Sequence, residues 1–159
     1  MNRNWTRWIH ASLSQYFTQY AKDNSLAFFI EASPRDTEGQ FEWTELRWDG
    51  PAANEVSKNY WLLDVEINIL ISTSTTAPNS HRHKEIVGLI QAAYLADLQV
   101  YKYGDGQFDT QELLGCLRLR SDVREAIFTS YFGKIEVDVP LEQSTVEAHY
   151  RMVLNTKTM

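Results

Sequence analysis

Tyr60–Ser74, YWLLDVEINILISTS, is the longest strand-like run in the chain, and its reading decides the fold. Trp61, Leu63, Val65, Ile67, Ile69 and Ile71 alternate with Tyr60, Leu62, Asp64, Glu66, Asn68 and Leu70. Side chains two apart in a strand share a face, so the first set predicts an apolar face lying on a core. The second set predicts a face that is polar in its middle, as in antiparallel or mixed sheets with one solvated side. Extended from Tyr60 to Ser72 the run would measure about 40 Å at ~3.3 Å per residue, well beyond an ordinary strand. One end is therefore expected to project past the sheet. Paired with Phe41–Trp48 it would form a projecting β-hairpin able to reach a neighbouring subunit.

Before this run, apolar residues at Trp5, Trp8, Ile9, Leu13, Tyr16, Phe17 and Tyr20 fall three and four apart, which predicts an amphipathic helix. Asn4 is placed to cap it, and Asp23-Asn24-Ser25 to end it. Leu26–Ala32 reads as a short strand leading into the polar loop PRDTEG, and Phe41–Trp48 as a second strand stopped by Asp49-Gly50-Pro51. Ala52–Asn59 reads as a loop.

After it, STSTTAPNS is loop-like, with Asn79 or Ser80 as the cap of a helix from about Ser80 to Leu98. Ile86, Val87, Ile90, Tyr94 and Leu98 are its expected buried stripe. The first turn holds a conflict. His81, Arg82, His83 and Lys84 add positive charge where the helix dipole is already positive, at a cost of a few tenths of a kcal/mol per group, roughly, unless an acidic partner compensates. A local rule broken without compensation points to a contact surface.

Val100–Tyr103 reads as a strand ended by Gly104-Asp105-Gly106. Leu113–Arg120 reads as another, with Leu113, Leu117 and Leu119 on one face and Cys116, Arg118 and Arg120 on the other. Ser121–Gly133 has two open readings: Asp122 and Glu125 have capping-box spacing, yet IFTSYF has strand composition. Ile135–Leu141 and Val146–Leu154 alternate as strands about a turn at Pro140–Gln143. The sum is an α+β fold: a mixed, mainly antiparallel sheet, an N-terminal helix and a second helix packed on it, and a projecting β-hairpin. Residues 1–155 are expected to form one domain and 156–159 a flexible tail.

The totals narrow the function. A net charge of −6 disfavours a free nucleic-acid-binding domain, which needs clustered Lys and Arg to neutralise phosphates. One cysteine, Cys116, excludes an internal disulfide and any zinc site with two thiolates. The N-terminal residues lack the apolar core of a signal peptide, and no run of ~18 apolar residues suits a membrane span, so a soluble protein made in the cytoplasm is expected. Aromatic residues make up 13% of the chain, enough to supply an interface as well as a core.

Candidate chemistry is sparse. His81 and His83, two apart on a helix, diverge by about 200° and cannot share a metal ion there. His10 has no metal-ligand partner at helical spacing, and Cys116 has the setting of a buried structural thiol rather than a nucleophile. Gly104-Asp105-Gly106 lacks the third glycine of a dinucleotide fingerprint and the lysine of a phosphate loop. Asp105, Asp109 and Glu112 miss calcium-loop spacing. Arg118 and Arg120 project together and could grip a carboxylate or a phosphate. No catalytic, cofactor or metal residue is singled out. The candidate intersubunit residues are Asp64, Glu66, Asn68, Arg82, Lys84, Arg118 and Arg120, with Asp64 or Glu66 as acidic partners for the basic turn of a neighbouring copy.

The order of elements, with YKYGDG at 101–106, LLGCLRLR at 113–120, FGKIEVDV at 132–139 and STVEAHYRMVL at 144–154, resembles the tail terminator proteins of long-tailed bacteriophages over Tyr60–Leu154. The resemblance implies a hexameric ring that caps the tail tube, ends its polymerisation and joins it to the head connector or stopper protein. It implies assembly in the host cytoplasm, a place in the virion neck or tail, DNA passing through the lumen, no membrane and no catalytic residues. Six copies would carry six times −6, or −36, and an acidic lumen would let DNA pass without adhering. Another neck or tail component, such as a head-completion or tube protein, stays open as an alternative, and so does a small enzyme built from residues distant in sequence.

Overall fold

The computed structural model describes residues 4–31, 40–75, 81–103, 112–136 and 140–158. The order is α1 (Trp5–Asp23), β1 (Phe28–Ile30), β2 (Glu42–Ser57), β3 (Tyr60–Ser74), α2 (Arg82–Tyr94), β4 (Leu98–Lys102), β5 (Glu112–Leu119), β6 (Ile127–Glu136) and β7 (Pro140–Asn155). A turn of 3₁₀ helix, Thr156–Thr158, follows, and the Thr156 N–H donates to Asn59 O at 2.8 Å. The fold is α+β, with a curled and mostly antiparallel sheet in the order β1-β2-β3-β7-β5-β4 and one parallel pair, β1 with β2. β6 pairs with β7 off this path.

β3 spans the predicted run residue for residue and is central, paired with β2 on one side and with β7 from Tyr60↔Asn155 to Ser74↔Leu141 on the other. Leu63, Val65, Ile67, Ile69 and Ile71 are all buried. They meet Val146, Ala148, Tyr150, Met152 and Leu154 of β7 on the same face. Both helices cover this face. α1 contributes Ile9, Leu13, Phe17 and Ala21, one i, i+4 stripe, and α2 contributes Ile86, Val87, Ile90, Ala93 and Tyr94. Long polar side chains fasten the helices where apolar contact alone would let them slide. The Tyr16 hydroxyl donates to Ala93 O and that of Tyr20 to Leu89 O, both at 2.9 Å, and the Trp8 indole donates to Tyr103 O at 3.0 Å. Two buried phenols are also satisfied: Tyr94 donates to Val146 O at 2.9 Å and Tyr150 to Tyr94 O at 2.6 Å. Burial pushes both well above the ordinary phenol range, which keeps them neutral.

Several local expectations are corrected. β2 continues past Asp49-Gly50-Pro51 to Ser57, where a loop was expected. Beyond Leu46 its outer side has no strand partner among the described residues, so the missing N–H of Pro51 breaks no ladder bond. The register shifts between Asp49 and Ala52, and Gly50 sits at φ +97°, a conformation that side chains oppose. The β2–β3 hairpin has an exposed tip, Asn54–Lys58, but it does not project past the sheet as expected, because β7 stays paired with β3 as far as Tyr60↔Asn155.

α2 stops at Tyr94, and Leu98, though buried, begins β4 instead of ending the helix. Asn4 and His81 stand at the two helix N-caps without a side-chain capping bond, and the caps expected at Asn79 or Ser80 lie outside the described residues. A register shift in the β4–β5 pairing, between Val100 and Tyr101, leaves Leu113 57% exposed and turns Leu114 against the core instead. Ile127–Phe132 is strand, not helix, and Pro140–Gln143 opens β7 rather than forming a turn. Gly104–Gly106, Asp109 and residues 137–139 lie outside the described residues.

Candidate functional site

The face of β3 turned away from the helices holds Asp64, Glu66 and Asn68. Strand pairing sets Arg151, His149 and Glu147 of β7 beside them. Arg151 grips Asp64 with two bonds, Nε to Oδ1 at 2.7 Å and Nη2 to Oδ2 at 3.1 Å, and its remaining nitrogen donates to Asp122 Oδ2 at 2.8 Å. Arg120, carried past the end of β5, is bidentate on Asp122 at 3.0 and 2.8 Å, and its guanidinium lies 3.7 Å from Asp64. The four side chains form a closed circuit of two carboxylates and two guanidiniums. The Arg120 guanidinium holds the Asp122 carboxyl far below the usual carboxylate range. Next along β3, Asn68 Nδ2 donates to Glu66 Oε1 at 3.1 Å, and His149 Nδ1 lies 3.7 Å from Glu66. The Asn68 Oδ1 is buried and accepts no hydrogen bond among the described residues. A hollow of about 280 Å³ opens here, bounded by Asp49, Gly50, Asp64, Glu66, Arg120 and His149.

Of the candidate interface residues, the fold therefore gathers Asp64, Glu66, Asn68 and Arg120. Arg118 lies opposite Arg151 in the β5–β7 pairing but is 75% exposed and reaches Asp97 at 3.5 Å. Arg82 and Lys84 stand elsewhere, on α2. The charge conflict expected there is resolved inside the chain: Arg82 is bidentate on Glu42 of β2, at 2.8 and 2.7 Å, and also meets Glu85 at 3.5 Å. Asp64 is likewise taken by Arg151 of its own chain, so the expected pairing of Asp64 with a neighbour's basic turn loses its premise. Lys84 is exposed.

His83 is buried, with Nδ1 2.6 Å from Thr73 Oγ1 and Nε2 2.9 Å from Ser144 Oγ, whereas His81 is exposed. Burial lowers the His83 pKa, with Glu142 opposing. A neutral ring so bound is a strut between α2 and the β3–β7 pair. Burial also raises the Cys116 thiol. Among the described residues no group of three metal-ligating side chains occurs. No described helix is long and apolar enough to cross a membrane. A second hollow of about 460 Å³ lies between α1 and β4, lined by Tyr16, Tyr20, Asp23, Asp97 and Gln99 among others.

Sequence reading missed Arg151, His149 and Asp122. Glu147, His149 and Arg151 alternate with the apolar set of β7, and that polar row was the available signal. Matching it to Asp64 and Glu66 needed only the pairing of the two strands. Asp122 was marked only by its capping-box spacing with Glu125, a helix signal, whereas it pairs with Arg120 and Arg151.

No protein-family model matches the chain, and no curated protein matches it. A solved structure whose name states no function is similar over 92% of this chain and 94% of its own, with a TM-score of 0.53 and 10% identity. Likeness at that identity shows the fold alone, a helix-backed sheet of the same extent.

Proposed function

We propose that this chain is a structural subunit of a phage neck or tail, forming a ring that caps the tail tube, ends its growth and joins it to the head connector while DNA passes. The supporting observation is the one-sided sheet. Both helices lie on one face, and the other face is a broad surface with Tyr60 and Val153 45% and 60% exposed at one end and Phe128 43% exposed on the flank strand β6, level with Asn68. Exposed aromatic and aliphatic residues around a charged centre suit contact with other protein surfaces better than chemistry on a small substrate. The Arg–Asp circuit fits the same reading, because side chains already locked in place lose little entropy when a partner arrives. An acidic lumen calls for a different surface, since Arg120 and Arg151 neutralise the carboxylates here.

Native mass spectrometry with negative-stain microscopy tests the proposal. The expected result is a closed ring of six copies of the 18.4 kDa chain. That ring should stop elongation when added to growing tail tubes. A monomer at every concentration would overturn the reading, and an extending stack would move it to a tube subunit.

A further inference from the structure

Besides the outer sides of the terminal strands β1 and β4, two stretches of strand edge on opposite flanks have no strand partner among the described residues. β6 pairs only with β7, so its outer edge has no strand partner among the described residues. Its first six residues, Ile127–Phe132, carry aromatic side chains exposed to 43% at Phe128, 57% at Tyr131 and 55% at Phe132, and no charge. Natural edges are guarded by Lys, Pro, bulges or covering elements, and an uncharged aromatic edge of this kind is otherwise an aggregation hazard. A register shift between Tyr131 and Gly133 interrupts the pairing at the end of this stretch, and Ile127–Tyr131 pair with β7 in unbroken register. On the other flank β1 pairs with β2 at Thr44–Leu46, and Ala52–Ser57, also six residues, has no strand partner on its outer side among the described residues.

We infer that the β2 edge Ala52–Ser57 of one copy adds to the β6 edge Ile127–Phe132 of the next, which rests on the ring reading above and names its contact. Two arguments select a second copy of this chain as the occupant. The edges are complementary: Ala52, Ala53 and Ser57 are small, so the Phe128, Tyr131 and Phe132 rings can fold over them without backbone separation. They are also displaced along the strands. Through β3, Ala52–Ser57 lies level with Arg151–Asn155 of β7, whereas Ile127–Tyr131 lies level with Ser144–Ala148. Each copy would therefore step about seven residues, ~23 Å, relative to the last. A constant stagger of this kind is what tilts strands when a sheet closes on itself. Different patches on opposite flanks make a head-to-tail contact, the kind that builds rings rather than two-fold dimers.

Cysteine cross-linking tests the contact. Asn54 and Ser130 lie on the same sheet face, so Asn54→Cys and Ser130→Cys are made singly and together in a Cys116→Ser background and treated with a short bis-maleimide. The double variant should give a ladder of linked species ending at the ring number. Each single variant alone should give none, and the two mixed should give dimers only. Val56→Lys, at a position 66% exposed, should leave the melting temperature unchanged and weaken assembly on the order of tenfold or more. Dimers from either single variant alone would overturn the inference by showing two-fold edge pairing. A ring by native mass with no cross-link would overturn it while leaving the ring reading intact. A ladder on open filaments would uphold the edge contact and overturn the ring, and a monomer throughout would overturn both.

Discussion

The two faces of β3 are built from alternate residues of one run, yet they are held by different physics. On the covered face five consecutive odd-numbered residues, Leu63 to Ile71, are between 0% and 3% exposed, and their stabilisation is transfer of apolar area from water. On the open face Asp64, Glu66 and Asn68 are partly exposed; Asp64 is held by Arg151 of β7 and lies near Arg120 after β5, Glu66 lies near His149 of β7, and Asn68 donates to Glu66 within β3. Burial of the first kind tolerates no substitution that leaves a hole. Pairing of the second kind adds little to stability but holds its side chains in fixed places.

The largest test of that difference is Ile69→Ala. Its side chain is fully buried, so it should lose about 2–5 kcal/mol in urea unfolding through lost transfer energy and the cavity left behind. Leu62→Ala, on the open face of the same strand, should lose well under half as much, and equal losses would erase the distinction. Gly50→Ala comes next. A Cβ there would stand 2.9 Å from Ala52 N and 3.1 Å from Asp64 O, both backbone atoms, at φ +97°. A loss of about 1–3 kcal/mol is expected. Because that bulge borders the hollow beside Asp64, the backbone amide signals of Asp64 and Glu66 should shift as well.

Acid should act on the covered side first. His83 is buried and its pKa is lowered by that burial, so the unfolded chain takes up the proton before the folded one does. Stability therefore falls as the pH drops below about 6.5, the ordinary histidine value, and goes on falling until the folded pKa is passed. His10, packed on Trp48 with ring centroids 4.5 Å apart and likewise lowered by burial, acts in the same direction. Urea midpoints measured from about pH 7.5 to pH 5 should decline in the wild type and decline less in His83→Gln. An identical slope in that variant would place the titration elsewhere.

What could be read from sequence follows the same division. α1, β3 and β7 were legible because each has long, regular periodicity with one apolar face, and burial obeys that pattern locally. The Pro51 strand was not, because a proline ends a strand only where its N–H is needed, and the need depends on whether a neighbour lies outside β2. Leu113 and Leu114 exchanged roles through a register shift, which alternation cannot foresee. Ile127–Phe132 became strand through pairing with β7, a contact far away in sequence. Of the candidate site, the polar row of β3 was visible. Its partners were not, because Asp64, Arg120, Asp122 and Arg151 come together only once the registers of β3, β5 and β7 are set.

The smallest effect expected is also the one that isolates the open face. Asp64→Asn removes the charge that Arg151 and Arg120 share, without changing size, and leaves both guanidiniums to Asp122. Partly exposed ion pairs contribute little and are screened by salt, so the stability loss should be smaller than that of Gly50→Ala and should shrink further as ionic strength rises toward 1 M. A double-mutant cycle with Arg151→Gln should show coupling that fades over the same salt range. Ile69→Ala, by contrast, should keep its full loss at every salt concentration. If Asp64→Asn instead proved as costly as the core substitution and indifferent to salt, the circuit would be a buried structural element. The open face would then belong with the core, rather than being a surface arranged for a neighbour.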